Sequence, residues 1–227
     1  MASKMPIAVL ISGRGRTLKN ILDKIEANEL DCEVKLVIAS TPNASGMQYA
    51  EKANIPTMVV ERSEYDNSED FNRSIFNLCR RAHVKYVVLA GYLTLLEIPE
   101  EFTNRVLNIH PSLLPSFSGK GFYGRSVHEA ALRRGVKVSG CTVHFVDNDY
   151  DAGPIILQKV VPVEEDDDTD ALSNRVLYEA EFVAYPEALQ LLAEDRIRVE
   201  DVPGVAGNRK VVRILPPKEQ SRSFYAS

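Results

Sequence analysis

Cysteine is scarce in this sequence, and the few thiols present are scattered. The 227 residues include three cysteines, Cys32, Cys79 and Cys141, and none of them forms a CxxC pair. Such a pattern excludes a disulfide framework. We therefore expect reduced thiols buried in a hydrophobic core.

Long apolar runs and excess positive charge are also missing. The amino-terminal apolar run, Pro6 to Ile11, has six residues before Arg14 and Arg16, which is too short for a signal peptide or a membrane span. The net charge of -5 argues against binding nucleic acid or an anionic membrane through the overall electrostatic field. The sequence predicts a cytoplasmic protein with no nucleic-acid or membrane partner, in which an anionic ligand needs local donors.

Several common ligand motifs are absent. Three of the four histidines, His110, His128 and His144, lie beside the acidic loop Asp147 to Asp151, but no spacing matches an HxxxH or CxxC ligand pair. The acidic loop lacks the twelve-residue EF-hand pattern, and the glycine turn near the amino terminus lacks the full GxGxxG motif. We therefore predict neither a metal site nor a nicotinamide site.

Strand-like and helix-like patterns alternate along most of the chain. Apolar runs predict strands at 6–11, 33–39, 56–60, 86–90, 141–146 and 155–163, and helical periodicity predicts helices at 18–25, 47–53, 68–82, 127–134 and 170–192, with a kink at Pro186. The alternation predicts an α/β fold with an open, mostly parallel twisted sheet and helices on both faces, a Rossmann-like arrangement. The chain length fits a single domain.

The stretch VLNIHPSLLPSFSG, from Val106 to Gly119, is the most informative part of the sequence. Asn108 and His110 alternate with apolar residues, so their side chains lie on one face of a strand. Pro111 and Pro115 end the strand and begin a loop, the usual position of a site in an α/β fold. Two interpretations fit: a buried histidine with satisfied hydrogen bonds, or a catalytic imidazole beside an amide.

A glycine turn, Ser12 to Thr17, follows the first strand and precedes the first helix. Glycines allow close approach of a ligand, and free N–H groups at a helix start favour an anion such as phosphate. A tight turn without a ligand fits the same residues. For the histidines, the interpretation that remains beside a structural role is acid–base chemistry, with an imidazole, an amide donor and a carboxylate acting together.

At this level of detail the sequence resembles a known family. NIHPSLLPSFSG, SGCTVHFVDNDYDAGPIILQ and VLISGRGRTL are similar to segments of the folate-dependent phosphoribosylglycinamide formyltransferases of purine synthesis. Related hydrolases of formyltetrahydrofolate tend to read NIHHSFLP, and methionyl-tRNA formyltransferases NVHASLLP. The Pro111-Ser112 pair therefore favours the first group.

The resemblance implies a transfer of formyl from 10-formyltetrahydrofolate, as co-substrate, to the amine of glycinamide ribonucleotide. It implies one formyltransferase domain over 1–200, with a ribonucleotide phosphate-binding half at about 1–105, a catalytic and folate-binding half at about 106–200, and a C-terminal extension at 201–227. It also implies three residue groups. The catalytic residues are Asn108, His110 and Asp151; the substrate-binding residues are Gly13, Gly15, Arg16, Thr17, Tyr178 and Glu181; the folate-binding residues are Leu93, Thr94, Leu95, Leu96, Asn108, Asp147, Asn148, Asp149, Tyr150 and Asp151.

Three departures from the family pattern leave questions open. Arg16 and Thr17 replace the usual serine and asparagine of the phosphate turn. Thr94 and Ser68 stand where some members carry arginines toward the glutamate tail of the folate, so the sequence does not predict how the tail is recognised. The segment between Gly119 and His128 is longer than in many members, and the resemblance assigns no role to Lys120 to Arg125. These residues could close over a ligand or form a surface excursion. Alternative functions are a formyltetrahydrofolate hydrolase and a non-catalytic nucleotide-binding module, in a monomer or a homodimer.

Overall fold

A computed structural model describes residues 4–204 and 207–217 of the chain. Within these ranges the chain forms a seven-stranded sheet and a separate two-stranded hairpin. The strands are β1 (Met5–Ile11), β2 (Cys32–Ala39), β3 (Thr57–Val59), β4 (Tyr86–Leu89), β5 (Val106–His110), β6 (Val138–Phe145), β7 (Ile155–Pro162), β8 (Ile197–Gly204) and β9 (Gly207–Ile214).

Helices connect most of these strands. They are α1 (Arg16–Glu26), α2 (Met47–Lys52), α3 (Ser68–Arg81), α4 (Arg125–Arg134), α5 (Thr169–Arg175) and α6 (Phe182–Ala193), with short 3₁₀ turns at Arg62–Glu64 and Glu100–Phe102. The backbone between α5 and α6 is π-helical, at Val176–Glu181. The single long helix that was predicted over 170–192 is therefore made of three consecutive helical segments.

The large sheet has the order β3-β2-β1-β4-β5-β6-β7. Strands β1 to β5 are parallel to one another, whereas β6 is antiparallel to β5 and β7 is antiparallel to β6. The prediction of an open, mostly parallel α/β sheet is confirmed. The sequence did not predict which strands are antiparallel.

Two hydrophobic clusters cover the two faces of this sheet. Along β1, Ile7, Val9 and Ile11 face one cluster, and Ala8 and Leu10 face the other. Helices α1 and α6 contribute to the first cluster, and α3 contributes Phe71, Ile75 and Cys79 to the second. Because both faces of β1 are buried, the strand is apolar throughout, as expected of a central parallel strand.

The sequence predicted a C-terminal extension at 201–227 without indicating whether it is ordered. β8 and β9 pair as an antiparallel hairpin, and residue 200 lies inside β8. The rest of the predicted extension, 205–206 and 218–227, lies outside the described ranges.

The predicted kink at Pro186 falls within α6, where the backbone carbonyl of Phe182 accepts a hydrogen bond from Asn20 Nδ2 at 3.0 Å. Since proline has no N–H to offer residue 182, the Asn20 side chain supplies the missing donor.

Candidate active site

A cavity of about 540 Å³ opens at the carboxyl ends of β1, β4 and β5. This is the edge of a parallel sheet at which ligands of α/β proteins bind. Most residues that the sequence predicted for the three groups line this one cavity. They are Gly13, Gly15, Arg16, Thr17, Leu93, Thr94, Leu95, Leu96, Asn108, His110, Asp147, Asp149, Tyr150, Asp151 and Glu181.

Strand β5 positions Asn108 and His110. Antiparallel pairing places Asn108 opposite His144 and His110 opposite Thr142 of β6. His110 is 3% exposed, and its Nε2 donates to the backbone carbonyl of Phe117 at 2.8 Å. The proton of neutral His110 therefore resides on Nε2, and Nδ1 is the nitrogen left to act in the cavity.

His144 fixes the orientation of the Asn108 amide. His144 Nδ1 donates to the carbonyl of Phe145 at 2.8 Å, so Nε2 of the neutral ring is an acceptor. Asn108 Nδ2 lies 3.4 Å from this Nε2. Burial lowers the pKa of His144, which keeps the ring neutral. One amide hydrogen of Asn108 is thus directed to His144, and the other is available to a ligand.

The acidic loop between β6 and β7 brings Asp151 next to both histidines. Its Oδ1 lies 3.7 Å from His110 Nδ1 and 3.8 Å from His144 Nε2. Both distances are too long for a direct hydrogen bond, and the approach to His110 becomes an ion pair when the His110 ring is protonated. The other oxygen, Oδ2, accepts the backbone N–H of Gly119 at 3.0 Å. The carboxylate is therefore oriented with one oxygen toward His110.

A third histidine, His128 of α4, also lines the cavity. It is 3% exposed, and its Nδ1 has no hydrogen-bond partner among the described residues. Burial, with a smaller contribution from His110, lowers the pKa of His128 to about 4. The ring is therefore neutral at physiological pH and is not suited to act as the acid.

The glycine turn after β1, Ser12 to Thr17, contributes Gly13 to Thr17 to the wall of the cavity. Gly15 has a φ of 66°, and a Cβ there would lie 2.7 Å from the Cα of Gly46, so a side chain is excluded. Gly46 donates its N–H to the carbonyl of Gly13 at 3.0 Å, which holds the turn against the loop before α2. Arg16 is the first residue of α1 and is exposed. The unpaired N–H groups of the first helical turn and a cation thus occur together, as an anion site requires.

Glu181 closes the cavity on the side of the π-helical segment. Burial raises the pKa of Glu181 to about 7, although the nearby Arg16 guanidinium acts in the opposite direction. Tyr178, which the sequence grouped with Glu181, does not line the cavity. Its ring is 56% exposed and packs edge-on against Phe182, at 5.3 Å between centroids. Leu177 lines the cavity instead, together with Ser173 and Glu181, each four residues from the next.

The loop after β4 is hydrogen-bonded both to the end of β1 and to the acidic loop. Ser12 Oγ accepts the backbone N–H of Leu93 at 2.9 Å, and Asn148 Oδ1 accepts the backbone N–H of Ile98 at 2.8 Å. Asn148 does not line the cavity, so its contribution is to connect the acidic loop to the loop after β4. Leu93 and Leu95 are 64% and 50% exposed, and they present an apolar surface at the cavity.

Sequence reasoning missed several contacts of this site. Phe117 and Gly119 hold His110 and Asp151 through backbone atoms, which no side-chain pattern reveals. Four residues of the unassigned segment line the cavity: Gly121, Phe122, Tyr123 and Gly124. Arg125 forms ion pairs with Asp170 and Glu129.

Among the described residues, no group of three or more histidine, cysteine, aspartate or glutamate side chains is arranged to hold a metal ion. None of the helices in 4–204 and 207–217 is long and apolar enough to cross a membrane.

Several known proteins are similar to this chain in sequence and fold. Residues 5–189 match the family model described as formyl transferase. A solved glycinamide ribonucleotide transformylase 1 from Symbiobacterium toebii is 39% identical, with a TM-score of 0.85, and the match covers 95% of this chain and 96% of that one. A chloroplastic phosphoribosylglycinamide formyltransferase from Arabidopsis thaliana is 37% identical over 85% of this chain and 66% of its own length.

A longer relative has the same segment within a larger protein. The trifunctional purine biosynthetic protein adenosine-3 of Homo sapiens is 40% identical over 86% of this chain, but the match spans 19% of that protein. The family model covers most of the present chain, and the structural match to the solved relative covers 95% of it. The chain therefore belongs to the formyl transferase family.

Proposed function

We propose that this protein transfers the formyl group of 10-formyltetrahydrofolate to the primary amine of glycinamide ribonucleotide in purine biosynthesis. The observation that carries the proposal is the convergence of Asn108, His110 and Asp151 in one cavity with the amino terminus of α1. The names of the similar proteins support the same reaction. The enzyme would act in the cytoplasm as a monomer or a homodimer, without a nucleic-acid partner.

The two substrates would occupy different ends of the cavity. The ribonucleotide phosphate fits the turn of Gly13, Gly15, Arg16 and Thr17, because N–H groups and a guanidinium meet there. Glu181, on the same side, is a partner for ribose hydroxyls. The folate fits between the Leu93–Leu96 loop and the Asp147–Asp151 loop, where apolar side chains and backbone groups face the cavity. The amino-terminal half, about 1–105, would thus supply the phosphate site, and 106–200 most of the catalytic site.

The catalytic groups match the charges that formyl transfer creates. Attack of the amine on the formyl carbon forms a C–N bond and a tetrahedral centre with a negative oxygen and a positive nitrogen. Asn108 Nδ2 and protonated His110 Nδ1 would donate to that oxygen. Ionised Asp151 would take the amine proton through a water molecule. The bond from the carbon to the folate nitrogen then breaks as that nitrogen takes up a proton. The donor already carries an activated formyl group, so the proposal includes no metal.

The decisive experiment gives the purified protein formyl-folate with and without the ribonucleotide amine. We expect folate release to depend on the amine and to match formyl-ribonucleotide formation mole for mole. Folate release without the amine would instead establish a hydrolase. Binding of the ribonucleotide with no formyl transfer would establish a nucleotide-binding module. His110→Ala, with the cavity otherwise intact, is the inactive control.

A further inference from the structure

One short turn contacts both catalytic partners through its backbone. This turn, formed by Phe117, Ser118 and Gly119, lies after the prolines that end β5 and before the segment Lys120 to Arg125. The carbonyl of Phe117 accepts from His110 Nε2 at 2.8 Å, and the N–H of Gly119 donates to Asp151 Oδ2 at 3.0 Å. An acceptor and a donor two residues apart thus hold the two groups that the proposed reaction uses.

The turn consists of Phe117, Ser118 and Gly119, and its backbone conformation is unusual at both ends. Phe117 has a φ of 50° and Gly119 a φ of 89°, both in the left-handed region. A bulky residue rarely adopts such a φ, and it persists only where the surrounding contacts impose it. A phenylalanine in this conformation therefore needs a structural cause.

Contacts on both sides of the turn supply that cause. Before it, the N–H of Ser116 donates to the carbonyl of Leu113 at 3.0 Å, and Ser118 Oγ donates to the carbonyl of Pro115 at 2.9 Å. After it, the N–H of Phe122 donates to the carbonyl of Gly119 at 3.0 Å. The ring of Phe117 packs against the core and lies 6.5 Å from the ring of Phe122.

The hydrogen bond from His110 to Phe117 determines which ring nitrogen can act. A carbonyl accepts only from a protonated nitrogen, so Nε2 carries the proton of the neutral ring. Nδ1, which faces Asp151 Oδ1 at 3.7 Å, is then the nitrogen that gains and gives up the second proton. The opposite tautomer would leave a bare Nε2 facing the carbonyl oxygen of Phe117, which is unfavourable.

The hydrogen bond from Gly119 determines how Asp151 is oriented. It engages Oδ2 and leaves Oδ1 near both His110 and His144, at 3.7 and 3.8 Å. The contact therefore fixes which carboxylate oxygen faces the imidazole. The segment Lys120 to Arg125 follows Gly119 directly, so it is adjacent to the residue that contacts Asp151.

We propose that the Phe117–Gly119 turn is a positioning element that selects the Nε2-protonated tautomer of His110 and orients Asp151 toward Nδ1. This inference rests on the proposed formyl transfer for its catalytic meaning. Phe117 and Gly119 are positioning residues, because they act through His110 and Asp151 and not on the substrates.

The first test compares substitutions at two glycines of positive φ. Gly119 and Gly135 both have a positive φ, of 89° and 65°, and neither has an atom within 4 Å of an added Cβ. Gly135 caps α4 and does not line the cavity. Gly119→Ala should lower kcat about tenfold or more, with both KM values nearly unchanged, because a Cβ disfavours the φ of 89° and so displaces the backbone N–H that Asp151 accepts. It should also change the pH–kcat profile, whereas Gly135→Ala should leave kcat and the profile unchanged.

A second pair of variants separates the turn's conformation from general folding defects. Phe117→Asn and Phe117→Val both remove the ring, but asparagine tolerates a positive φ and valine does not. We expect Phe117→Asn to retain clearly more kcat than Phe117→Val at equal thermal stability. Equal kcat in these two variants, or equal pH profiles in Gly119→Ala and Gly135→Ala, would overturn the proposal.

Nitrogen NMR of the His110 ring in the wild-type protein completes the test. At a pH where the ring is neutral, we expect the proton on Nε2, and a proton on Nδ1 would overturn the proposal. The measurement requires no turnover, so it distinguishes two failures. The wrong tautomer in an active enzyme refutes the role of the turn, and the expected tautomer in an enzyme without formyl transfer supports the turn and refutes the proposed function.

Discussion

Ser12 Oγ accepts the backbone N–H of Leu93 at 2.9 Å, so the end of β1 is bonded to the loop after β4. The hydroxyl of Ser40 donates to the same oxygen at 2.7 Å and holds it in place. In the proposed function these two segments bind different substrates, the ribonucleotide phosphate and the folate. One serine hydroxyl therefore joins the two halves of the cavity.

Ser12→Ala should raise the KM of both substrates severalfold and affect kcat less. The variant loses a net hydrogen-bond contribution of about 1 kcal/mol, and the N–H of Leu93 is left without its acceptor. Steady-state kinetics with each substrate varied in turn gives the answer. The matched control is Ser74→Ala, which removes a hydroxyl bonded to Tyr65 in another part of the molecule and should leave both KM values unchanged. A change in one KM alone would contradict the joining role.

Arg16→Ser should raise the KM of the ribonucleotide about tenfold or more and largely spare kcat. A charge-assisted contact to phosphate is lost, while the reacting amine lies at a distance from it. The control is Arg81→Ser, which removes the same charge from an exposed position at the end of α3. An unchanged ribonucleotide KM in Arg16→Ser would mean that Arg16 points to solvent in the complex.

His128 should make the protein less stable as the pH falls from about 6.5 toward 4. Its pKa is lowered to about 4 in the folded protein, whereas the unfolded chain takes up this proton near 6.5. The unfolded state thus binds more protons between these values, and the stability present above pH 6.5 is lost as the pH falls, by about 3 kcal/mol at most.

Chemical denaturation between pH 4 and 7 measures this effect. The pH dependence should be weaker in His128→Gln than in the wild type. His83→Asn, at an exposed position with a positive φ that asparagine tolerates, should retain the wild-type dependence. Equal slopes in the wild type and His128→Gln would contradict the buried neutral imidazole.

Glu181 should have the opposite dependence on pH. Burial raises its pKa from 4.5 to about 7, so the folded state binds more protons than the unfolded state between these values. The stabilising contribution of protonated Glu181 is present below pH 4.5 and is lost as the pH rises through about 7.

Glu181→Gln should therefore be more thermally stable than the wild type above pH 7, because no carboxylate has to ionise in the cavity. The difference should shrink as the pH is lowered toward 4.5. Glu179→Gln, at an exposed position two residues earlier, should not differ from the wild type across this range. A Glu181→Gln variant that is less stable at pH 8 would show that the ionised carboxylate is well compensated, for example by Arg16.

The sequence predicted the elements of the fold well, because its signals are periodic. The strands from β1 to β5 and the helices α1 to α4 lie within a few residues of their predicted positions, since burial on one or both faces leaves a clear apolar pattern. The antiparallel direction of β6 and the pairing of β8 with β9 left no such pattern. Strand direction depends on the connections and on packing, which periodicity does not encode.

The site was predictable where side chains carry the chemistry. Asn108, His110 and Asp151 meet as the family resemblance implied, and the strand spacing alone placed the first two on one face. Tyr178 was grouped with Glu181 by the resemblance, but its ring is exposed and packs against Phe182, which the sequence pattern did not indicate. The contacts of Phe117 and Gly119 involve backbone atoms, which any residue type provides, so only the structure reveals them.

The catalytic role of Asp151 is the central claim, and the kinetics of Asp151→Asn tests it most directly. Asparagine preserves the size of the side chain and an oxygen that can accept the Gly119 N–H, but it cannot take up the amine proton. The account predicts that kcat falls about a hundredfold or more, while the dissociation constant of the folate stays close to that of the wild type. A variant that kept the wild-type kcat and pH–rate profile, and only bound the folate more weakly, would show that Asp151 is a binding residue and would contradict the account.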